Sequence, residues 1–276
     1  MAVSHHNGIV SLKPLATSIR QSVVRSLAAA GSGHLGGSMS SADILTTLFF
    51  SVLKHNPLDP SWPGRDRFIL SIGHVAPVLY ATLAEAGYFP KEELLTLRKQ
   101  GSRLQGHPGR DHHLPGLELS AGSLGQGLSV AVGMALSMKM DRLVNRIYCL
   151  CGDGELQEGS IWEAAMAAAH HKLNNLVVII DRNGLQIDGS TEKVMALEPL
   201  RKKWEAFGWD VLECDGHDFR QLQSAFKKAS QEMTHPSVII AKTIMGKGIA
   251  SIEGDYRWHG KAPSHEQALR FINELS

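Results

Sequence analysis

Two apolar runs, RIYCLCG (146–152) and NLVVIID (175–181), flank a segment of helical character, SIWEAAMAAAHHKL (160–173). Strands that read as near-continuous apolar runs are buried on both faces, and a pair joined through a helix lies parallel. The rest of the chain repeats the pattern. RFILSIG reads as an earlier strand, WDVLEC and SVIIAKT as later ones, with helices at LGQGLSVAVGMALSMKM, LRKKWEAFG and FRQLQSAFKKAS between them. This alternation predicts an α/β fold: a parallel sheet with helices on both faces.

Ahead of the first strand, KPLATSIRQSVVRSLAAAG opens a helix with Pro14 near its start and Leu15, Ile19, Val23 and Leu27 on one face; Gly31 stops it. A second apolar helix is expected around Ser41–Leu53 and another from Pro77 to Ala86, with a loop-rich section from Gly101 to Gly122 and a Gly-rich end. No internal repeat, low-complexity run or linker interrupts the pattern, so residues 1–276 are read as one domain.

With 276 residues, 43% of them hydrophobic, the chain can bury a sizeable core, and a net charge of +1 gives no electrostatic case for nucleic acid or an anionic membrane. No apolar run reaches the roughly 18–20 residues that span a bilayer, and MAVSHHNGIV lacks the regions of a signal peptide. A cytoplasmic protein is expected. Cys149, Cys151 and Cys214 are too few and too poorly spaced for a disulfide framework or a zinc site, and Cys149 and Cys151 read as core residues of one strand.

The strand–helix–strand unit is also where chemistry is expected. A right-handed crossover ends both strands on the same sheet edge, the edge where ligands bind in such folds. A helix of about 14 residues spans about 21 Å, enough to return the chain, so Asp153 after the first strand and Asn183 after the second can meet. An Asp carboxylate, an Asn amide oxygen and a carbonyl such as that of Leu185 are hard donors suited to Mg²⁺ or Ca²⁺. Gly152 and Gly154 allow close backbone approach, and a diphosphate would balance the cation's charge while the helix that follows offers it free N–H groups. Taken alone, each half is read more simply as an Asp-Gly turn and an unrelated Asx turn. Two other motifs fail on context. GSGHLG (31–36) matches a dinucleotide fingerprint in spelling but follows a helix, and GKG at 246–248 has glycine where a P-loop needs Ser or Thr.

GDG followed about thirty residues later by Asn resembles the diphosphate and metal motif of thiamine diphosphate enzymes, and GDGELQEG with IDRNGLQIDG resembles transketolase in particular. The resemblance extends over the whole chain. SGHLGGSMS, LSIGHVAPVLY, LQGHP, SAGSLGQG and WHGKAP are similar to transketolase segments, with Leu35 and Ser123 standing where the family has proline. It implies that Asp153, Asn183 and the Leu185 carbonyl ligate the metal, that Gly152 and Gly154 approach the diphosphate, and that Ile187 packs beneath the cofactor. Gly122, Ser123 and Leu124 would contact the aminopyrimidine side, and Glu158 would join a glutamate network across a subunit interface. His34, His107 and His259 would reach the substrate, with His74 and His259 near the diphosphate. Glycine before His34, His74 and His107 is read as room for an imidazole against a ligand. Lys242 and Lys247 are read as solvated, with a role near phosphate the alternative.

In transketolases the glutamate that activates the cofactor lies in a second domain, downstream of the segments matched here. The resemblance therefore implies the N-terminal subunit of a split transketolase, working with a C-terminal subunit that supplies this glutamate, in a heterotetramer with two copies of each chain. The implied reaction moves a two-carbon ketol unit from a ketose or its phosphate to an aldose or its phosphate. Within the cofactor class, a 1-deoxyxylulose-5-phosphate synthase-like or 2-oxo acid dehydrogenase-like subunit is the alternative. Outside enzymes, it is a non-catalytic cofactor-binding regulatory subunit.

Overall fold

The parallel sheet follows from the apolar runs. In the computed structural model, which describes residues 11–275, β1 (Arg67–Leu70), β2 (Ile147–Gly152), β3 (Leu176–Arg182), β6 (Asp210–Asp215) and β7 (Ser237–Lys242) form one sheet in the order β1-β2-β3-β7-β6. Every pairing is parallel. A two-stranded antiparallel hairpin, β4 (Leu185–Gln186) and β5 (Gly189–Ser190), follows β3 directly. The sheet belongs to one of two compact units, made of Asp66–Gly73 and Ala121–Thr243. Its central strands β2 and β3 are buried from Ile147 to Cys151 and from Leu176 to Ile180, which is why they read as unbroken apolar runs rather than alternating ones. The Gln126–Met140 helix packs on β1, β2 and β3, and Gly159–His170 packs on Gln126–Met140. On the β6–β7 side, Phe219–Gln231 closes the layer, its Asp218 cap accepting from the amides of Arg220 and Gln221. Cys149 and Cys151 are both buried, sulfurs 3.9 Å apart.

The other unit, whose described residues are 11–65, His74–Ser120 and 244–275, is helical. Its longest helix, Leu12–Ala30, buries Ile19, Val23 and Leu27 completely and ends at Gly31 with φ +67°, as expected. Each such side chain stabilises the fold by about 1.5–3 kcal/mol. Ala76–Glu85 and Ala42–Thr47 pack against this helix, and buried Arg20 on it forks onto Asp43 with two bonds of 2.8 Å.

Several boundaries differ from the sequence reading. The helix expected at Ser41–Leu53 is a short one, Ala42–Thr47, running into a π turn at Leu48–Val52, and a further short helix, Leu35–Ser40, precedes it. The segment expected as a Gly-rich end contains a helix, His265–Glu274, started by a capping box in which Ser264 accepts from the Gln267 amide and Gln267 answers to the Ser264 amide. Its Ala268 and Phe271 are buried, Phe271 against Trp258, and the helix packs on Leu12–Ala30. The opening segment, read above for a signal sequence, lies outside the described residues. Among the described residues no helix is long and apolar enough to cross a membrane.

Candidate functional site

In the sheet-bearing unit, the crossover does what its spacing predicts. Gly152 pairs with Asp181 at the end of the β2–β3 ladder, and the Asp153 amide reaches the Asp181 carbonyl at 3.3 Å. Asp153 and the Asn183 turn therefore leave the sheet side by side. The Asp153 carboxylate is 2% exposed and accepts from the Gly184 amide at 2.6 Å, the Gly154 amide at 2.8 Å and the Arg182 guanidinium at 3.1 Å. Asn183 Oδ1 accepts from the Leu185 amide at 3.0 Å, an Asx turn that leaves it a second lone pair. The Asx turn is present, and it stands beside Asp153. Burial pushes the Asp153 carboxyl up to about 6, the Gly184 amide and Arg182 pulling it down and Asp181 adding to the rise. A buried acid with three donors that do not offset its desolvation is short of positive charge. The Asp153 carboxylate and the Asn183 amide oxygen, brought side by side here, are hard donors of the kind that suit a divalent cation.

The two glycines sit tightly against their protein neighbours. A Cβ on Gly152 would lie 2.7 Å from Ile72 Cγ2, and one on Gly154 would lie 3.0 Å from Gln186 Cβ, so protein neighbours fill both directions. The helix expected from Ser160 starts at Gly159, and a 3-10 turn at Gly154–Gln157 lies between it and the two glycines. The Gly152 amide is bonded to Glu155 at 3.1 Å and the Gly154 amide to Asp153, so neither points free toward an anion. Glu158 is exposed at the start of that helix, Ile187 is 62% exposed beyond the Asn183 turn, Gly122 and Ser123 are exposed, and Leu124 is half-buried.

Sequence reasoning missed two residues in this unit. Glu155 is a buried carboxylate that accepts from Ser71 Oγ at 2.5 Å, the Gly125 amide at 2.8 Å and the Gly152 amide. It ties the end of β1 to the GDG turn and to the Gly125 loop. Arg182 contacts Asp153 and three further side chains. The signal for Arg182 was its place between the strand and Asn183 in IDRN, where an exposed charge is the ordinary reading.

The helical unit gathers three of the four predicted histidines. Ring centroids of His34 and His74 are 4.9 Å apart, His74 and His259 5.0 Å, and His34 and His259 5.7 Å. The local sequence explains the meeting. His34 caps the Leu35–Ser40 helix, whose Gly36 has Met245 Cγ and the Trp258 carbonyl 2.7 and 3.0 Å from where a Cβ would stand, while the same position on Gly37 is 2.8 Å from Val75. Side chains at 36 and 37 would push away the segments that carry His259 and His74. Buried Nδ1 atoms of His34 and His259 have no partner, a cost of about 1–3 kcal/mol each. Each ring nitrogen can take a polar partner, a ligand atom or a water.

All four histidines are shifted toward neutrality. Burial, with His259 next, lowers His74 to about 3 and His34 to about 4; burial also lowers His259, and burial and Arg98 lower His107. His107 is exposed and does not stack with the other three. Arg98, also missed, explains the glycine before His107, and Leu27 the one before His34. A Cβ on Gly106 would lie 2.9 Å from the Arg98 guanidinium, and one on Gly33 would lie 2.5 Å from Leu27 and 3.7 Å from Arg98 Nε. These glycines make room for neighbouring side chains. Lys242 is exposed, and Lys247 pairs with Glu253 at 3.4 Å.

Residues 12–273 match the family model for the transketolase thiamine diphosphate binding domain. The chain belongs to the transketolase family. Among transketolase sequences it is 44% identical over 266 residues to the 6-deoxy-6-sulfo-D-fructose transketolase subunit SqwG of Clostridium sp. (strain MSTE9), covering 96% of both chains. It is also 44% identical to an apulose-4-phosphate transketolase subunit from Phocaeicola vulgatus, covering 93% of this chain and 91% of that one. Against the solved transketolase from Leishmania mexicana the TM-score is 0.91 at 33% identity, covering 97% of this chain but 42% of the other. The parallel sheet flanked by helices is thus the transketolase fold. The chain matches along its length those transketolases that are made as separate subunits.

Proposed function

We propose that this chain is the N-terminal half of a two-subunit cytoplasmic transketolase, which transfers a two-carbon ketol unit from a ketose to an aldose once a C-terminal subunit supplies the activating glutamate. The observation that carries the reading is the end-to-end match to relatives that are themselves subunits, beside the 42% coverage of a single-chain transketolase. Two copies of each chain form the proposed assembly, with Glu158 at a subunit boundary.

Thiamine diphosphate, when bound, supplies the electron sink that makes the bond beside a ketone breakable. Asp153, Asn183 and the Leu185 carbonyl would hold Mg²⁺ or Ca²⁺, with Gly152 and Gly154 keeping side chains away from the turn that approaches the diphosphate. Ile187 would pack beneath the cofactor, and Gly122, Ser123 and Leu124 along its pyrimidine side. Neutral imidazoles suit the remaining work. The reaction removes a proton from a hydroxyl as an aldose departs and returns one to the aldehyde oxygen of the acceptor. Rings that both donate and accept can hold those oxygens and carry the proton. His34 and His259, each with an unpartnered buried nitrogen, would take a polar ligand atom there. His74 would lie near the diphosphate and His107 on the substrate hydroxyls. Both relatives' names refer to sugars bearing a sulfo or phosphate group, so an anionic sugar is the proposed substrate class.

The test mixes this chain with its C-terminal partner, thiamine diphosphate, Mg²⁺, a ketose donor and an aldose acceptor. Aldose release is expected from the mixture and negligible from either chain alone. Robust turnover by this chain alone would refute the two-subunit reading.

A further inference from the structure

Arg182 ends β3, and its guanidinium is bonded to four side chains of the same unit. Nη1 donates to Thr191 Oγ1 at 2.7 Å and to Asp153 Oδ2 at 3.1 Å, while Nη2 donates to Glu192 Oε1 at 2.9 Å and Glu198 Oε1 at 3.1 Å. The acids carry the connection onward. Glu192 accepts from the Leu197 and Glu198 amides at 3.2 and 3.3 Å, and Glu198 accepts from the Leu200 amide at 2.8 Å. One cation therefore closes the segment from Asn183 to Glu198 onto Asp153. The Arg182 side chain is 11% exposed and that of Asp153 2%, so their bond is shielded from water, while Glu192 and Glu198 are 38% and 58% exposed on its outer side; a planar fork of five donors makes all of these bonds where a lysine, a point charge, could not.

We propose that Arg182 is a positioning residue for cofactor loading: by holding Asp153 and the 191–198 segment together, it presets the turn that carries Asn183, Leu185 and Ile187 beside the buried acid. The inference rests on the reading of Asp153 and Asn183 as cation ligands. The opposite role, a built-in cation competing with the metal, fits the geometry less well. Arg182 and the Gly184 amide both engage Oδ2, whereas Oδ1 receives only the Gly154 amide and keeps a free lone pair. Carboxylates also outnumber the one guanidinium, so the cluster stays negative and attracts a cation.

The experiment compares the full-length chain with Arg182→Gln, Arg182→Lys and the double variant Glu192→Gln/Glu198→Gln. Amide hydrogen exchange is read across 184–198 without added cofactor, and the Mg²⁺ concentration for half-maximal uptake of thiamine diphosphate is read by calorimetry. Arg182→Gln should speed exchange in that segment at least on the order of 10-fold and raise the Mg²⁺ requirement on the order of 10-fold, the usual scale for a group that orients a ligand. Arg182→Lys should recover part of the Mg²⁺ effect. The double variant should loosen the segment with a smaller Mg²⁺ effect, since the bond to Asp153 remains. Unchanged exchange in Arg182→Gln, or tighter Mg²⁺ binding by it, overturns the proposal. If Arg182→Gln does not fold, the double variant decides it, and unchanged exchange there overturns it equally. Failure of the wild-type chain to take up thiamine diphosphate with Mg²⁺ would instead sink the reading of the site, while the exchange arm still tests the clamp.

Discussion

Acidifying the chain from pH 6.5 to pH 5 should destabilise it through the histidine cluster. Burial, with His259 and His34 next, holds His74 at about 3, against 6.5 in an unfolded chain. Over this window the unfolded chain binds a proton at residue 74 and the folded one does not, so stability present above pH 6.5 is lost as pH falls toward the folded value. At about 1.4 kcal/mol per pH unit, His74 alone removes about 2 kcal/mol between pH 6.5 and 5. His34 acts in the same direction with a smaller share because it is more open to solvent, and His259 adds to it. A loss of 2 kcal/mol is a sizeable part of the 5–15 kcal/mol typical of a folded protein. Urea unfolding of the wild type and of His74→Gln, followed by far-ultraviolet circular dichroism at a series of pH values, measures it. His74→Gln should flatten the slope by about one proton whatever its own stability at pH 7. Equal slopes for the two proteins would show that residue 74 titrates normally and that the cluster is not buried as described.

Three further outcomes follow from the same geometry. Asp153→Asn removes the one buried carboxylate proposed to meet the cation and should weaken Mg²⁺-dependent uptake of thiamine diphosphate on the order of 100-fold by calorimetry, with secondary structure retained; unchanged uptake would take Asp153 out of the metal site. Glu155→Gln places an amide where one carboxylate serves Ser71, Gly125 and Gly152 and should lower unfolding stability by about 1–3 kcal/mol; a neutral result would mean that the acid is protonated and already behaves as an amide. His107→Ala should lower ketol transfer by the reconstituted enzyme on the order of 100-fold or more while cofactor affinity stays within about 2-fold, and a matching loss of cofactor binding would refute a substrate role.

How much of this was legible in the sequence depends on the range of the interactions. The β2–β3 crossover could be read because its evidence is local: two apolar runs, a helix of the right length, and a residue with hard oxygen donors after each strand. The internal bonding of the GDG turn could not be read, because its amides are held by Glu155 and Asp153, and Glu155 becomes a buried acceptor only through Ser71, 84 positions away. The His265–Glu274 helix was hidden for another reason. Its capping box, Ser264 with Gln267, stood in the sequence, but short amphipathic helices gain most of their stability from packing, here against Leu12–Ala30, some 250 residues earlier.

The Gly-His pairs carry the sharper lesson, and Gly36→Ala tests it. In the sequence, a glycine before a histidine suggests space for a ligand, yet in the helical unit the space beside Gly33 and Gly106 is occupied by Leu27 and Arg98, and the glycines that assemble the cluster are the two after His34. A Cβ at position 36 would meet Met245, which can shift, and the Trp258 carbonyl at 3.0 Å, which is backbone and carries His259 with it. Gly36→Ala should therefore cost about 1–3 kcal/mol of stability, the usual range for overpacking, and should separate His259 from His34. Loss of the close His34–His259 ring contact in nuclear magnetic resonance spectra would show that separation, and the acid slope of the variant should flatten as His34 loses its neighbour. A variant that is destabilised but keeps both the ring contact and the slope would mean that Met245 alone absorbs the methyl group, and that the backbone approach at Gly36 is not what brings the imidazoles together.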